Sequence, residues 1–329
     1  PYPDHQAARS NVVGKRADVV LFTNLGCNGT KMSSLRLFSR HLEFTGTGWK
    51  LRELPALVDC DLRHCNSNQC VVRGSNGRLW AAYGMVGRLG TNCINARYSD
   101  DDGVTWKSTR PGTSGLVSGT LHSEEEGVGF GRYTFEEPCI VPFGKGIACI
   151  WQYARGPLKW TRFDGKSWSP ITLIEQPKGT AYNPTRPGIS AVHLDNGEVF
   201  FISARFDGVY HWKEGKWKLE ANDVPAGSRI SVSGGRVIIV STGIRESRAY
   251  ARHEGPVTFS LWKRDTRGNW AGPTKLHTES HPLTKNDNMY GFRPSFVVQP
   301  FSPPNFVPLA WTCAGQKSIR VMRIPIDSQ

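Results

Sequence analysis

No apolar run in the 329 residues approaches the roughly 18 that a membrane-spanning helix needs. No stretch repeats apolar residues at a sustained helical period either. The opening residues, PYPDHQAARS, hold neither the basic nor the apolar region of a secretory signal. The chain therefore reads as soluble, already processed and without a membrane partner. Zinc-finger spacing, an RNA-binding sheet signature and a basic helix are also missing, so nucleic acid is not an expected partner. Acidic residues are outnumbered: 28 Asp plus Glu against 41 Lys plus Arg leave a net charge of +13, scattered along the chain, which favours an acidic partner through long-range attraction. Glycine (35), proline (21) and tryptophan (11) are plentiful, and turn residues interrupt short apolar runs at regular intervals. That pattern predicts an all-β fold.

Eight cysteines are present, and Cys27, Cys60, Cys65, Cys70 and Cys93 fall in the first hundred residues. Their even number and crowding point to an oxidising, extracellular compartment and a secreted protein. In EEPCIVPFGKGIACIW the FGKG turn is read as placing Cys139 and Cys149 opposite each other, which predicts a cross-strand bridge. Cys60, Cys65, Cys70 and His64 lack the spacing of common zinc ribbons, so no metal is assigned and no cofactor is required. Asn28-Gly29-Thr30 is a glycosylation acceptor sequence.

A unit of about 45 to 70 residues recurs along the chain, the range of propeller blades with loop insertions. Its second strands read ADVVLFTNL, RLWAAYG, GIACIWQYA, EVFFISARF, RVIIVSTG and FVPLAWTCA. Its third strands end in GTGW, DDGVTW, FDGKSW, KEGKW and TRGNW, and the last unit closes in KSIRVMRIPID without a fourth strand. The expected architecture is a single β-propeller over residues 1–329, built of four-stranded blades, six by count with seven as the alternative. An insertion is placed around 107–133.

Ser99-Asp100-Asp101-Asp102-Gly103-Val104-Thr105-Trp106 fits the Asp-box pattern S-x-D-x-G-x-T-W. It resembles the repeat of the sialidases and related carbohydrate-active propellers. A second resemblance, over residues 15 to 215, is to BNR-type propellers that include the ulvan lyases and enzymes cutting rhamnose–uronate linkages. Their Asp-Asp-His-Asn, Thr-Tyr-Pro and Arg-Pro-Tyr motifs have counterparts here in Asp61-Leu62-Arg63-His64-Cys65-Asn66, Thr134-Phe135-Glu136 and Arg186-Pro187-Gly188. Phe135 replaces the family's tyrosine, which turns attention to Tyr133.

The resemblance implies elimination beside a uronic acid, in an enzyme acting as a monomer on an acidic polysaccharide or oligosaccharide. Such a reaction needs a base for the C5 proton, a cation at the carboxylate and an acid for the leaving oxygen. His64 is the expected base or acid, with Tyr133, Arg155, Arg186 and Glu137 completing the catalytic set. His5, Asn66, Arg88, Arg229, Tyr290 and Arg293 are the expected substrate contacts, because residues that open inner strands converge at a propeller axis. A glycoside hydrolase is the alternative, with Glu136 or Glu137 as a carboxylate. A glycan-binding propeller without catalysis is the third reading.

Overall fold

The computed structural model describes residues 13–15, 18–26, 35–44, 47, 49–51, 56–59, 64–74, 76–87, 92–109, 138–152, 157–176, 189–203, 206–225, 228–243, 256–279, 295–296, 306–312 and 319–325. Their strands form six antiparallel sheets, divided between two compact units, Pro1–Ile174 and Glu175–Gln329. No helix among the described residues is long and apolar enough to cross a membrane.

In the first unit, sheet one holds β1 (Val13–Lys15), β2 (Asp18–Gly26), β3 (Leu35–Phe44) and β4 (Trp49–Leu51), with β5 (Ala56–Asp59) also paired to β3. Sheet two runs β6 (His64–Arg73), β7 (Leu79–Gly87), β8 (Asn92–Ser99), β9 (Lys107–Ser108). Sheet three runs β10 (Cys139–Phe143), β11 (Gly146–Gln152), β12 (Leu158–Phe163), β13 (Thr172–Leu173). In the second unit, sheet four runs β14 (Ile189–His193), β15 (Val199–Ser203), β16 (Val209–Lys213), β17 (Lys216–Ala221). Sheet five runs β18 (Arg229–Ser233), β19 (Arg236–Ser241), β20 (Thr258–Arg264), β21 (Trp270–Thr278). Sheet six holds β22 (Ser295–Phe296), β23 (Phe306–Thr312) and β24 (Ile319–Pro325).

Each of the six apolar segments read as a second strand is the second strand of a sheet. Burial explains their composition. In β19 every residue from Val237 to Ser241 is buried, as is all of β15. A strand covered on both faces reads as a continuous apolar run rather than an alternating one. Alternation survives in where the side chains go: Val237 and Ile239 join a core with Phe200, Ile202 and Val209 of sheet four. Ile238 and Val240 face the other way, into a core with Val307, Leu309 and Ile324 of sheet six. One strand thus supplies two cores, each buried aliphatic side chain contributing about 1.5–3 kcal/mol. In the first unit Trp80, Ala82 and Ile94 of sheet two meet Ile147, Cys149 and Trp151 of sheet three in the same way.

In sheets two, three and five the turn between third and fourth strands closes on aspartate. Ser99 donates its hydroxyl to Asp101 Oδ1 at 2.7 Å and accepts the Gly103 amide at 2.7 Å. Asp101 in turn accepts the Thr105 amide at 2.8 Å and the Thr105 hydroxyl at 2.5 Å, while the Trp106 indole donates to the Gly103 carbonyl at 3.1 Å. Burial pushes the Asp101 carboxyl up, but the hydrogen bonds from Thr105 and Ser99 outweigh it and hold the group below its ordinary range. Asp164 accepts the Ser167 and Lys166 amides, and Asp265 accepts those of Asn269 and Arg267, so FDGKSW and TRGNW repeat the device. These residues are occupied in shaping turns. Lys107–Ser108 is the fourth strand of sheet two, and the remainder of the expected insertion, from residue 110 on, lies outside the described residues.

The expected Cys139–Cys149 bridge is corrected by register. Gly144 and Lys145 alone form the β10–β11 loop, so Cys139 stands opposite Ile150 and Cys149 opposite Ile140. One residue out of step, the two thiols point to opposite faces of the hairpin, and they are not bonded to each other. Cys149 enters the core shared with sheet two, and Cys70 Sγ accepts the Ile140 amide at 3.4 Å, tying β6 to β10.

The same hairpin yields a test. A Cβ on Gly146 would lie 1.8 Å from the Phe163 carbonyl oxygen of β12, a backbone atom that cannot swing aside. Gly146→Ala is expected to cost about 3 kcal/mol or more in urea unfolding. A loss within about 0.5 kcal/mol of wild type would contradict this close packing of β11 on β12.

Candidate functional site

First strands lie side by side within each unit. In the first, β6 packs beside β1 and β10, and in the second β18 packs between β14 and β22. The Ser190 Oγ of β14 accepts the Ile230 amide of β18 at 3.4 Å, so adjacent first strands are also hydrogen-bonded. Their opening residues are the positions at which the sequence placed the site.

Two of those residues fall at equivalent places. His64 opens β6 opposite Gly87, with Asn66 opposite Met85, and the strand shifts register between Ser67 and Cys70. Such an irregularity bends the strand just past its opening residues. Arg229 opens β18 opposite Val240. Its half-buried side chain follows a tight turn in which the buried Ser228 donates from both hydroxyl (2.5 Å) and amide (3.3 Å) to the Pro225 carbonyl. Arg229 Nη1 donates to the Ser228 carbonyl at 3.3 Å, which holds the guanidinium at the mouth of the strand. A guanidinium at the opening of a first strand has the chemistry to meet an anionic ligand, because guanidinium pairs with carboxylate through strong charge-assisted hydrogen bonds.

The remaining expected site residues, His5, Arg88, Tyr133, Glu137, Arg155, Arg186, Tyr290 and Arg293, lie outside the described residues. In the chain, Glu137 stands two residues before β10, Arg186 three before β14 and Arg293 two before β22. Each therefore immediately precedes a first strand. No group of three His, Cys, Asp or Glu suited to a metal occurs among the described residues.

Sequence reading missed the densest ionic group among the described residues, which lies on outer strands of the second unit. His211 of β16 places Nδ1 at 2.5 Å from Glu220 Oε2 and Nε2 at 3.2 Å from Glu198 Oε1. Arg264 of β20 bridges the same two carboxylates, Nε to Glu220 at 2.7 Å and Nη2 to Glu198 at 3.3 Å. The Trp270 indole adds a hydrogen bond to Glu220 at 2.9 Å. Burial pushes the Glu220 carboxyl up, yet hydrogen bonds from His211, Arg264 and Trp270 and the Arg264 charge bring it down to about 2. A carboxyl so acidic is no proton donor at neutral pH, so Glu220 does not serve as a glycosidase acid. The group joins sheet four to sheet five. His211, Glu220 and Arg264 come from β16, β17 and β20 and Glu198 from the turn before β15, at irregular sequence distances, and no local motif announces them.

No family model matches the chain. No curated protein matches it either. Solved structures do. One is a lectin of Aleuria aurantia described as a six-bladed β-propeller with a novel fucose recognition mode, 12% identical, covering 98% of this chain and 93% of its own, with a TM-score of 0.52. The fold is a β-propeller. An α-L-arabinanase of Penicillium chrysogenum complexed with arabinobiose shares this propeller's fold at 13% identity, 97% and 94% coverage and a TM-score of 0.55. A protein of unknown function from Dyadobacter fermentans is similar at 11% identity, 95% and 92% coverage and a TM-score of 0.55. The propeller's structural neighbours thus include carbohydrate-active proteins.

The Glu220 geometry sets the acid behaviour of the second unit. Glu220 is lowered on folding, so the stability it contributes is fully present above its unfolded value of 4.5 and is lost as pH falls to about 2. Glu220→Gln is expected to be less stable at neutral pH and to show a shallower loss between those limits, read from thermal midpoints. Parallel wild-type and mutant acid profiles would contradict it.

Proposed function

We propose that this propeller is a secreted enzyme that cleaves an acidic glycan at the opening residues of its first strands. The observation that carries the proposal is the cationic chemistry of those residues: Arg229 is fixed at the mouth of β18 and His64 opens β6, on a chain of net charge +13. A uronic acid suits such positions. Elimination there takes the C5 proton to a base, forms the C4–C5 double bond and breaks the C4–O bond, whose oxygen leaves with a proton. His64 is assigned to proton transfer at the uronate, and Arg229 to contact with an anionic group elsewhere on the glycan. Arg155 and Arg186 retain their place as the carboxylate-neutralising residues that the sequence resemblance implies. Eight cysteines in a 329-residue chain support the extracellular location.

Hydrolysis is the second reading, supported by the likeness to the arabinanase. It would move the chemistry to Glu136 or Glu137, as a glycosidase carboxylate.

Incubation with a panel of uronate-containing polysaccharides, following new reducing ends and the ultraviolet absorbance of unsaturated uronate together, separates the readings. Elimination raises both signals, and hydrolysis raises reducing ends alone. Arg229→Ala is expected to lower kcat/KM by about 10²–10³, and His64→Ala to lower kcat by about 10²–10⁴ with the fold intact. Glycan binding without new ends would leave the lectin reading, and wild-type turnover in His64→Ala would remove that residue from the mechanism.

A further inference from the structure

Register carries Cys139 away from Cys149, and packing brings it to a cysteine of another sheet. β10 lies against β6, and both strands belong to the first unit. Where they meet, Cys70 of β6 directs its Sγ at the Ile140 carbonyl oxygen from 3.8 Å and accepts the Ile140 amide at 3.4 Å. Cys139 directs its own Sγ at the same carbonyl oxygen from 3.9 Å. Two cysteine sulfurs from adjacent first strands thus converge on one backbone atom.

Both residues are in the thiol form in this structure. Their contacts hold the sulfurs loosely, because a thiol is a weak donor and its sulfur a weak acceptor. Cys149 has a different setting, fully buried in the apolar core with Trp80, Ile140 and Trp151. Of the converging pair, Cys70 is partly buried and Cys139 is 6% exposed, which makes Cys70 the sulfur that a reagent reaches first.

We infer that Cys70 and Cys139 are a dithiol pair that closes to a disulfide under oxidising conditions and staples β6 to β10. The oxidant is a small disulfide such as oxidised glutathione. The Cys70 sulfur attacks it, forming a mixed disulfide and releasing one glutathione thiol. The Cys139 sulfur then attacks the Cys70 sulfur, and the second glutathione leaves as a thiol. Two protein thiols are oxidised, one small disulfide is reduced, and the two protein protons end on the released thiols. Rotation about the two Cα–Cβ bonds brings the sulfurs to the roughly 2 Å of a disulfide.

The staple sits at a structurally telling point. Cys70 is the residue at which β6 returns to register after its shift, so the bond fixes that strand just beyond the opening that begins with His64. Cys139 opens β10. The contact between Cys70 and Ile140 spans 70 residues of chain, and a cross-link closing a loop of that order strongly restrains the unfolded chain. None of this depends on the reaction assigned to the strand openings.

The test treats the reduced full chain with oxidised glutathione, blocks remaining thiols by alkylation and maps the tryptic peptides without reduction. Residues 64–73 form one peptide with Cys65 and Cys70, residues 133–145 one with Cys139, and residues 146–155 one with Cys149. The expected product joins 64–73 to 133–145. It is expected to persist in Cys65→Ser and to vanish in Cys70→Ser. Oxidation is also expected to raise the thermal midpoint of wild type by about 3 °C or more beyond any rise in Cys70→Ser. Should Cys70→Ser fail to fold, the wild-type and Cys65→Ser maps decide the matter. Alkylation of both Cys70 and Cys139, or linkage of either to a different cysteine, would overturn the pairing.

Discussion

Burial on both faces of the second strands, as described for β7, β11, β15 and β19, is the constraint on which the rest of this structure depends. A four-stranded sheet of five-residue strands cannot cover its own apolar side chains, and β19 shows the solution most plainly by sending alternate residues into cores on either side of it. Sheets must therefore stand face against face. Once they do, outer strands become the solvent-facing rim, as the exposure of β21 from Ala271 to Lys275 shows, and first strands become neighbours of one another. Polar chemistry is left with two places, the opening residues of first strands and the seams between outer strands.

The two places are used differently. At the seams, charges meet partners from the adjacent sheet: Arg264 spans Glu198 and Glu220, and Arg320 of β24 holds the buried Glu279 beside β21 at 2.5 Å. Such groups are committed, and Glu220 with its depressed acidity illustrates a carboxylate fixed in its charged state by its neighbours. In the first unit the Trp168 indole donates to Thr109 at 3.2 Å across such a seam. At the first-strand mouths, Arg229 donates Nη1 to the Ser228 carbonyl of the preceding residue.

Much of this was legible in the sequence because it is written in short-range pattern. Continuous apolar runs marked the six second strands, and the Gly-x-Trp endings marked the turns to outer strands, since both reflect one strand's burial or one turn's hydrogen bonding. Register was less legible: a two-residue loop rather than a larger one moves Cys149 by a single place, and that place separates a bridge from two opposite faces. The pairing of Arg264 with Glu198 and Glu220 was invisible, since charge pairing across sheets depends on contacts between residues as distant in the chain as Glu198 and Arg264. Of the candidate site, the positions of His64 and Arg229 followed from strand openings, whereas Glu137, Arg186 and Arg293 are placed only by their distance from a strand.

Calorimetric titration with one acidic oligosaccharide and its carboxyl-reduced counterpart tests the central claim most directly, because it removes the charge and leaves the sugar. The account predicts binding of the acidic form that weakens steeply with added salt, with the reduced form bound at least tenfold more weakly. Equal affinity for both forms, independent of salt, would contradict recognition through cationic first-strand openings.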